Sequence, residues 1–290
     1  MVPGLLPAVV AALLWGGYLY SLKRYFSGYS GAVIAVVVNG IATAWYLPGA
    51  YVYLGGFPTV PSLSAFGIAV VLVTVGFAAL GFLTVTRALA AGDVTLVAPV
   101  AKIVPVFVLP LEVLLLPVAL GPLQVAGIAV VTAAVYLANY EGGRLLDPLR
   151  NLTESRAVQL ALFSAACYGV SDVAKRVALQ DVGVPAAYWV IVSLLGPAVF
   201  LAPLALRDWP DAGVRAALPK FVGIAVVVAL ARVATTLSFS VTSASVAATV
   251  INAQSVVAVV LGGVLLAEEG FRTRLAASAL AVAGIALLAQ

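Results

Sequence analysis

Residues 141–156 read EGGRLLDPLRNLTESR and form the only sizeable polar stretch in the chain. Charged residues, Gly, Pro and Asn cluster there in a way that a helix in lipid does not tolerate. On both sides of it, uncharged apolar runs of about 20 residues, the length that a membrane span requires, recur from Pro3 to Gln290. The stretch therefore divides the chain into two apolar parts.

The composition is that of an integral membrane protein. Of the 290 residues, 64% are hydrophobic and 9% are charged, and the mean hydropathy is +1.17. A soluble domain carries about 25% charged residues, so these charges are too few to cover a water-exposed surface. We expect the lipid bilayer to surround most side chains.

The apolar runs, read against turn and charge signals, predict ten transmembrane helices. Five precede the polar stretch and five follow it. The predicted spans are residues 3–21, 31–54, 63–86, 94–116, 119–138, 157–176, 185–206, 219–239, 243–266 and 273–289. The predicted domains are a first five-helix repeat over 1–140, a connecting loop over 141–156 and a second five-helix repeat over 157–290.

Short motifs in the first part recur in the second. Trp15-Gly16-Gly17 precedes Lys23-Arg24, as Tyr168-Gly169 precedes Lys175-Arg176. GDVTLVAPV from Gly92 matches TSASVAATV from Thr242 in small and β-branched positions. An odd number of spans per repeat inverts the second copy in the membrane, and inverted repeats are the architecture of secondary transporters. A shared Ala/Val/Gly-rich composition is the alternative source of this likeness.

These motifs resemble the drug/metabolite transporter (DMT) superfamily, specifically its EamA-type branch of ten-helix transporters. LLWGGYLYSLKR at 13–24 is similar to the family's opening, and GGVLLAEEGFRTRLAASALAVAGIALL at 262–288 is similar to its repeat ending. The first repeat keeps Pro-Val-Phe at 105–107 but has Leu-Pro-Val-Ala at 116–119, where a Glu is expected. The resemblance implies a metabolite exporter for amino acids or related compounds, and we place it in the cell (plasma) membrane.

The distribution of Lys and Arg predicts an orientation. Loops after the odd-numbered spans carry most of these residues, and the positive-inside rule makes such loops cytoplasmic. Both termini would then lie outside. The family resemblance favours the opposite orientation, because several ten-helix relatives keep both termini in the cytosol.

Ionisable side chains inside predicted spans are the first functional candidates, because each costs a few kcal/mol on insertion scales. Lys102 and Arg232 either contact substrate or form structural ion pairs with Asp172 or Glu112. Glu112 is expected to snorkel to the interface or to cap a packing defect. Asp172 is the proton-coupling candidate, although an end-of-helix salt bridge with Lys175 is an equally good interpretation.

Prolines and amides mark the fourth and ninth spans. The fourth contains Pro99, Pro105, Pro110 and Pro117, and broken helices at membrane depth usually line a cavity. The ninth carries polar side chains at the equivalent depth, and its Asn252 corresponds to Lys102 at the common offset. These side chains either face the cavity or hydrogen-bond neighbouring helices.

Aromatic residues complete the predicted site. Trp15 and Tyr18 share a face of the first span, and Tyr168 is the counterpart of Trp15 in the sixth. They lie several residues inside the Lys-Arg pairs, which favours a cavity lining over an interface belt. The predicted substrate-binding residues are Trp15, Tyr18, Lys102, Tyr168, Arg232, Asn252, Gln254 and Ser255, with Asp172 for proton coupling.

The leading hypothesis is a secondary active transporter that moves a small metabolite, such as an amino acid or organic acid, by alternating access. The alternatives are a membrane channel and a non-transporting structural membrane protein. An enzyme is not expected, because the chain has no His and no metal motif or close intramembrane pair of acids. The expected partners are a small-molecule substrate, the bilayer and protons, but no nucleic acid, metal or cofactor, and the protein is a monomer or homodimer.

Overall fold

The computed structural model describes residues 3–91, 97, 100–138, 155–210, 214–265 and 271–288. Regular structure in these ranges is helical throughout, as the all-α prediction requires. The α-helices are α1 (Leu5–Tyr25), α2 (Gly31–Leu54), α3 (Ala65–Ala91), α4 (Val104–Leu115), α5 (Pro122–Ala138), α6 (Arg156–Arg176), α7 (Ala186–Arg207), α8 (Leu218–Phe239), α9 (Ala244–Asn252), α10 (Gln254–Leu265) and α11 (Phe271–Leu288).

Six segments are long and apolar enough to cross a membrane, with mean hydropathy between 1.3 and 2.5. They are Leu5–Leu22, Gly31–Leu54, Ala65–Ala88, Arg156–Asp181, Ala186–Arg207 and Arg215–Phe239. Helices suit this setting because lipid offers no partners to backbone N–H and C=O groups. Shorter apolar helices cover Val104–Leu115, Pro122–Leu137, Ala244–Ala258 and Ala279–Leu288, within the remaining predicted spans.

The predicted fourth and ninth spans are both interrupted. The chain is helical at Ala101, turns at Lys102 and resumes as α4 at Val104, with Pro105 in the first turn of that helix. In the second half, Ala253 forms a turn between α9 and α10. Gly92 aligns with Thr242, an offset of 242 − 92 = 150, so the two interruptions occur at equivalent positions.

Some of the predicted features lie outside the described residues. They are the polar stretch up to Glu154, the GDVTLVAPV motif except Val97 and Val100, and the Glu pair at 268–269.

Helices of the first half pack mainly on helices of the second. The larger helix pairs are α3 with α6, α5 with α11, α1 with α8 and α10, and α2 with α7 and α8. Two hydroxyls fasten α6 to α3, since Ser164 donates to the carbonyl oxygen of Gly81 at 2.7 Å and Ser171 to that of Thr74 at 2.9 Å. The centre of the bundle is therefore built from both halves.

One end of the bundle is identified by contacts between distant segments. Gly4, before α1, lies against Ser238 and Thr242 at the end of α8. Gln180, in the π-helical turn Val177–Asp181 that continues α6, bonds to the same region. We refer to this end as the Gly4 end. The turn between α8 and α9, residues 240–243, lies there and is called the α8–α9 turn.

Candidate functional site

A cavity between the two halves collects most of the predicted site residues. It has two adjoining lobes, with volumes of about 240 Å³ and 320 Å³. The smaller, here the α7 lobe, extends toward α2, α3 and α7. The larger, here the α9 lobe, extends toward the interruptions before α4 and after α9. Both lobes are lined by Trp15, Tyr168, Asp172, Lys175 and Arg232.

Eight of the nine predicted residues line this cavity. In addition to the shared residues, Tyr18 lines the α7 lobe, and Lys102, Asn252 and Gln254 line the α9 lobe. Ser255 is the exception. It is buried, its hydroxyl donates to the carbonyl oxygen of Asn252 at 3.1 Å, and it lines neither lobe. Its hydroxyl is bonded to the backbone beside the helix interruption, so the structure does not bring Ser255 together with the other predicted residues, and its contact with substrate stays a prediction.

Arg232, on α8, lies over an aromatic side chain of the other half. Its guanidinium carbon is 5.0 Å from the centre of the Trp15 ring, within the range of a cation–π interaction. The Trp15 indole N–H donates to the hydroxyl of Thr235 at 3.0 Å, and the Tyr18 ring meets Trp15 edge-on at 5.5 Å. Trp15 is therefore fixed in position beneath the guanidinium group.

Arg232 forms no ion pair at contact distance among the described residues, although the carboxylate of Asp172 in the same cavity wall interacts with its charge, and its buried Nε has no hydrogen-bond acceptor there. A buried donor without an acceptor is costly. An anionic group of a ligand would supply that acceptor. The guanidinium group thus has the chemistry of an anion-binding side chain.

Lys102 occupies the turn where the fourth span is interrupted. Within the described ranges its ammonium group forms neither a hydrogen bond nor an ion pair, and its side chain is half-buried in the wall of the α9 lobe. No direct ion pair joins Lys102 or Arg232 to Asp172 or Glu112 in the described part of the chain, because Asp172 pairs with Lys175 and Glu112 binds the start of α9.

Asp172 pairs with Lys175 along α6. The Lys175 ammonium is 2.6 Å from the Asp172 carboxylate, and both side chains are about 15% exposed. The same ammonium lies 4.3 Å from the centre of the Phe239 ring. The end-of-helix salt bridge is present and forms part of the cavity wall. A role for Asp172 in proton coupling stays a prediction.

Asn252 ends α9 at the equivalent of Lys102. Its amide nitrogen donates to the carbonyl oxygen of Ala248 at 2.9 Å, one turn earlier in the same helix. The bond holds the side chain within its own helix and does not join two helices. Asn252 therefore presents a polar, locally anchored group to the α9 lobe, next to Gln254.

Glu112 is completely buried rather than at the interface, so the expectation that it snorkels is wrong. Its carboxylate accepts hydrogen bonds from the backbone N–H groups of Ala244 and Ser245, at 2.5 and 2.7 Å, and from the Ser245 hydroxyl. The start of α9 has unpaired N–H donors that lipid cannot satisfy. An acid in an apolar span is a signal that such donors are near.

Sequence reasoning also missed polar residues in the α7 lobe. Asn39 on α2 is buried there, and Ser193 on α7 lines the same lobe. Asn39 is an isolated amide within an apolar helix, and that isolation was the available signal. The Ser193 hydroxyl is bonded to the carbonyl oxygen of Val190 at 2.9 Å, which is typical of serines throughout membrane helices and carries no functional signal.

Comparison with known proteins agrees with this architecture. A model of the EamA-like transporter family matches residues 2–140 and 155–290. One solved crystal structure superposes on 99% of this chain and 98% of its own with a TM-score of 0.78 and 18% sequence identity, which shows a shared fold. No curated protein sequence matches. The chain belongs to the EamA-like transporter family of the DMT superfamily and is a multi-pass integral membrane protein.

Proposed function

We propose that the protein is a secondary active transporter that moves a carboxylate-bearing metabolite, such as an amino acid or organic acid, by alternating access. Its ten spans form two inverted repeats, residues 1–140 and 157–290, joined by 141–156. The substrate binds in the cavity between them, at the midplane position that inverted-repeat transporters use. The family match supports the transporter class, and the cavity supports the choice of an anionic group.

The single observation that carries this choice is the pair of cations in the cavity wall. Neither Arg232 nor Lys102 forms a direct ion pair among the described residues, and the nearby Asp172 is already paired with Lys175. A charge inside a membrane protein is stable only with a partner or access to water. A substrate carboxylate bound by these cations would provide the partner.

The other lining residues would contact the rest of the substrate. Trp15, Tyr18 and Tyr168 offer aromatic rings, and Asn252 and Gln254 offer amide groups in the lining of the α9 lobe. Protonation of Asp172 would break its salt bridge with Lys175. Proton binding would therefore change the charge of the cavity. We propose export across the plasma membrane by a monomer or homodimer, without a cofactor.

The alternative is a channel or a non-transporting structural protein. A channel needs a continuous polar path, whereas apolar and aromatic side chains such as Trp15, Phe82 and Phe239 form part of the lining of the described cavity. A carrier saturates with substrate concentration and supports counterflow, in which substrate on one side drives labelled substrate from the other. Flux that rises linearly without saturation would favour a channel.

The experiment begins with purified protein and a thermal-shift screen of amino acids, organic acids, sugars and nucleobases. A ligand that binds only the folded state stabilises it by about 2.7 kcal/mol at 100 times its Kd. The strongest ligand is then assayed for counterflow in proteoliposomes, with the Lys102→Ala and Arg232→Ala variants. Arg207→Ala is the control, since the Arg207 side chain is 81% exposed.

We expect both cavity variants to lose at least about tenfold in apparent affinity, because each removes a charge-assisted contact of about 1.5–3 kcal/mol. Arg207→Ala should match the parent. Unchanged flux and affinity in both Lys102→Ala and Arg232→Ala would show that the substrate binds elsewhere.

A further inference from the structure

Glu112 joins the two halves of the molecule at the Gly4 end. The residue lies on α4, in the first half, and its carboxylate accepts hydrogen bonds from the first residues of α9, in the second. Three hydrogen bonds converge on its carboxylate, two from backbone N–H groups and one from the Ser245 hydroxyl. The positive end of the helix dipole favours a negative charge at this position. None of these groups lines the central cavity.

The α8–α9 turn is held by two further elements. The amide nitrogen of Gln180 donates to the carbonyl oxygens of Phe239 and Thr242, both at 2.7 Å. Gly4, with φ of 81°, approaches so closely that a Cβ there would be 2.9 Å from the carbonyl oxygen of Ser238. Segments from both halves therefore contact this turn and the adjoining start of α9. They are α4 and the residue before α1 from the first half, and the extension of α6 from the second.

The α8–α9 turn directly follows a residue of the cavity wall. Phe239, the last residue of α8, is 1% exposed and lines the α9 lobe. The ammonium group of Lys175 lies over its ring on the cavity side. Phe239 and the α8–α9 turn therefore lie between the α9 lobe and Gly4, so a substrate that passes between the lobe and the Gly4 end along this line requires them to move.

The repeat relationship makes the Glu112 contact one-sided. At the common offset, Glu112 corresponds to Gly262 (112 + 150), and Ser245 corresponds to Thr95 (245 − 150). A glycine has no carboxylate, so position 262 cannot supply the equivalent of the Glu112 contact.

We propose that Glu112 is a latch that keeps the Gly4 end shut and must release α9 each time that end opens. The inference deepens the proposed transport cycle and rests on it, because only alternating access requires this end to open. Opening separates α4 from the start of α9. It therefore breaks the three hydrogen bonds to the Glu112 carboxylate and exposes that carboxylate. The latch therefore biases the protein toward the state that is closed at the Gly4 end.

The test measures access to the cavity from each end, without a substrate. Cys167 is the chain's one cysteine, so Cys167→Ala with Ser193→Cys places a single thiol in the α7 lobe. The protein is reconstituted in liposomes with a protease-cleavable tag before Met1, and a membrane-impermeant maleimide is added outside. Protease then cleaves the tag only from chains whose Gly4 end faces outward. Cleaved and uncleaved chains differ in size, so one gel separates labelling through the Gly4 end from labelling through the other end.

We expect slow labelling of cleaved chains in the parent. Glu112→Gln, which keeps the side-chain volume but places an amide beside N–H donors, should raise that rate about tenfold or more. Ser245→Ala is the matched control, because it removes one of the three bonds and keeps the carboxylate, so its rate should rise about threefold. Uncleaved chains should label no faster than in the parent.

An unchanged rate in Glu112→Gln, with or without a lower melting temperature, would overturn the latch and leave Glu112 a purely structural residue. Equal increases from both ends would also overturn it, because they indicate general loosening. If Glu112→Gln does not fold, Ser245→Ala decides, and an unchanged rate contradicts the proposal. Faster labelling in a protein that binds and carries no metabolite would retain the latch and refute the proposed transport.

Discussion

Arg232 remains charged within the bundle because Trp15 partly replaces its water. A desolvated cation–π contact contributes about 2 kcal/mol or more, a large share of the few kcal/mol that insertion of an arginine costs. The contact covers one face of the guanidinium plane and leaves its hydrogen-bond donors available. This division would let a permanent cation be stable without a ligand and still bind the proposed anionic substrate.

Trp15→Phe tests that arrangement. The substitution removes the hydrogen bond to Thr235 and weakens the cation–π contact, so Arg232 loses its fixed position. We expect substrate affinity to fall about three- to tenfold, measured as ligand-induced thermal stabilisation. The control is Trp45→Phe, whose parent side chain is 52% exposed on α2, outside the cavity. Equal losses in the two variants would contradict the role given to Trp15.

Asp172→Asn separates coupling from binding. It removes the carboxylate that pairs with Lys175 and that would carry the coupled proton. We expect flux driven by a pH gradient to fall at least about tenfold, while counterflow, which needs no net proton movement, changes less than about threefold. Asp208→Asn, in an exposed pair with Arg207, should alter neither. Retained acceleration by the pH gradient would exclude Asp172 as the proton carrier.

Single residues differ in how well sequence predicts their role. Lys102 and Arg232 could be placed in the cavity wall from the sequence, because a cation inside an apolar span is costly unless it faces a polar cavity or a partner. Glu112 could not, because its partners are backbone N–H groups at the start of α9, more than 130 positions away, and backbone donors leave no sequence pattern. The aromatic pair of Trp15 and Tyr18 was predictable because both lie on one helical face.

The two helix interruptions have different origins. Pro105 cannot donate a backbone hydrogen bond, and its position in the first turn of α4 stops that helix from continuing back through Lys102. The ninth span turns at Ala253 without any proline or glycine nearby. The first interruption could be predicted from the sequence. The second follows from packing at the equivalent position, which propensity alone does not reveal.

Pro105→Ala should extend helix through the interruption and move Lys102 away from the α9 lobe. We expect about a tenfold loss of affinity, the size of one displaced charge-assisted contact. Pro110→Ala is the matched control, since Pro110 lies within α4 on its exposed side. Binding to both variants is measured by thermal shift with the same ligand. If Pro110→Ala loses as much affinity as Pro105→Ala, the position of the interruption does not set the position of Lys102.

At the scale of the whole molecule, the sequence indicates two five-helix halves but not their pairing. Helices such as α3 and α5 are apolar on every side, so no face identifies its neighbour. The structure interleaves the halves, with α1 against α8 and α10, and α3 against α6. Each cavity wall therefore contains residues from both halves, and any movement of one half against the other changes the shape of the site.

Gly16 controls how closely the halves approach at the site. A Cβ at this position of α1 would lie 2.5 Å from the Cβ of Val257 and 2.9 Å from the carbonyl oxygen of Gln254 on α10, whereas one at Gly17 would meet nothing within 4 Å. We therefore expect Gly16→Ala to push α10 away from Trp15. Overpacking of this kind destabilises by about 1–3 kcal/mol, and at ~2–4 °C per kcal/mol for a large domain the melting temperature should fall by ~2–12 °C.

Gly16→Ala should also weaken substrate binding, because Trp15 and Gln254 line the same α9 lobe. Gly17→Ala adds the same methyl group to the next residue of α1 and should leave both melting temperature and affinity within error of the parent. Melting followed by tryptophan fluorescence, with and without ligand, provides both quantities for each variant. If the two variants behave alike, the change comes from replacing glycine by alanine in α1 and not from the contact between Gly16 and α10. If Gly16→Ala alone loses stability and affinity together, the spacing between the halves sets the geometry of the site.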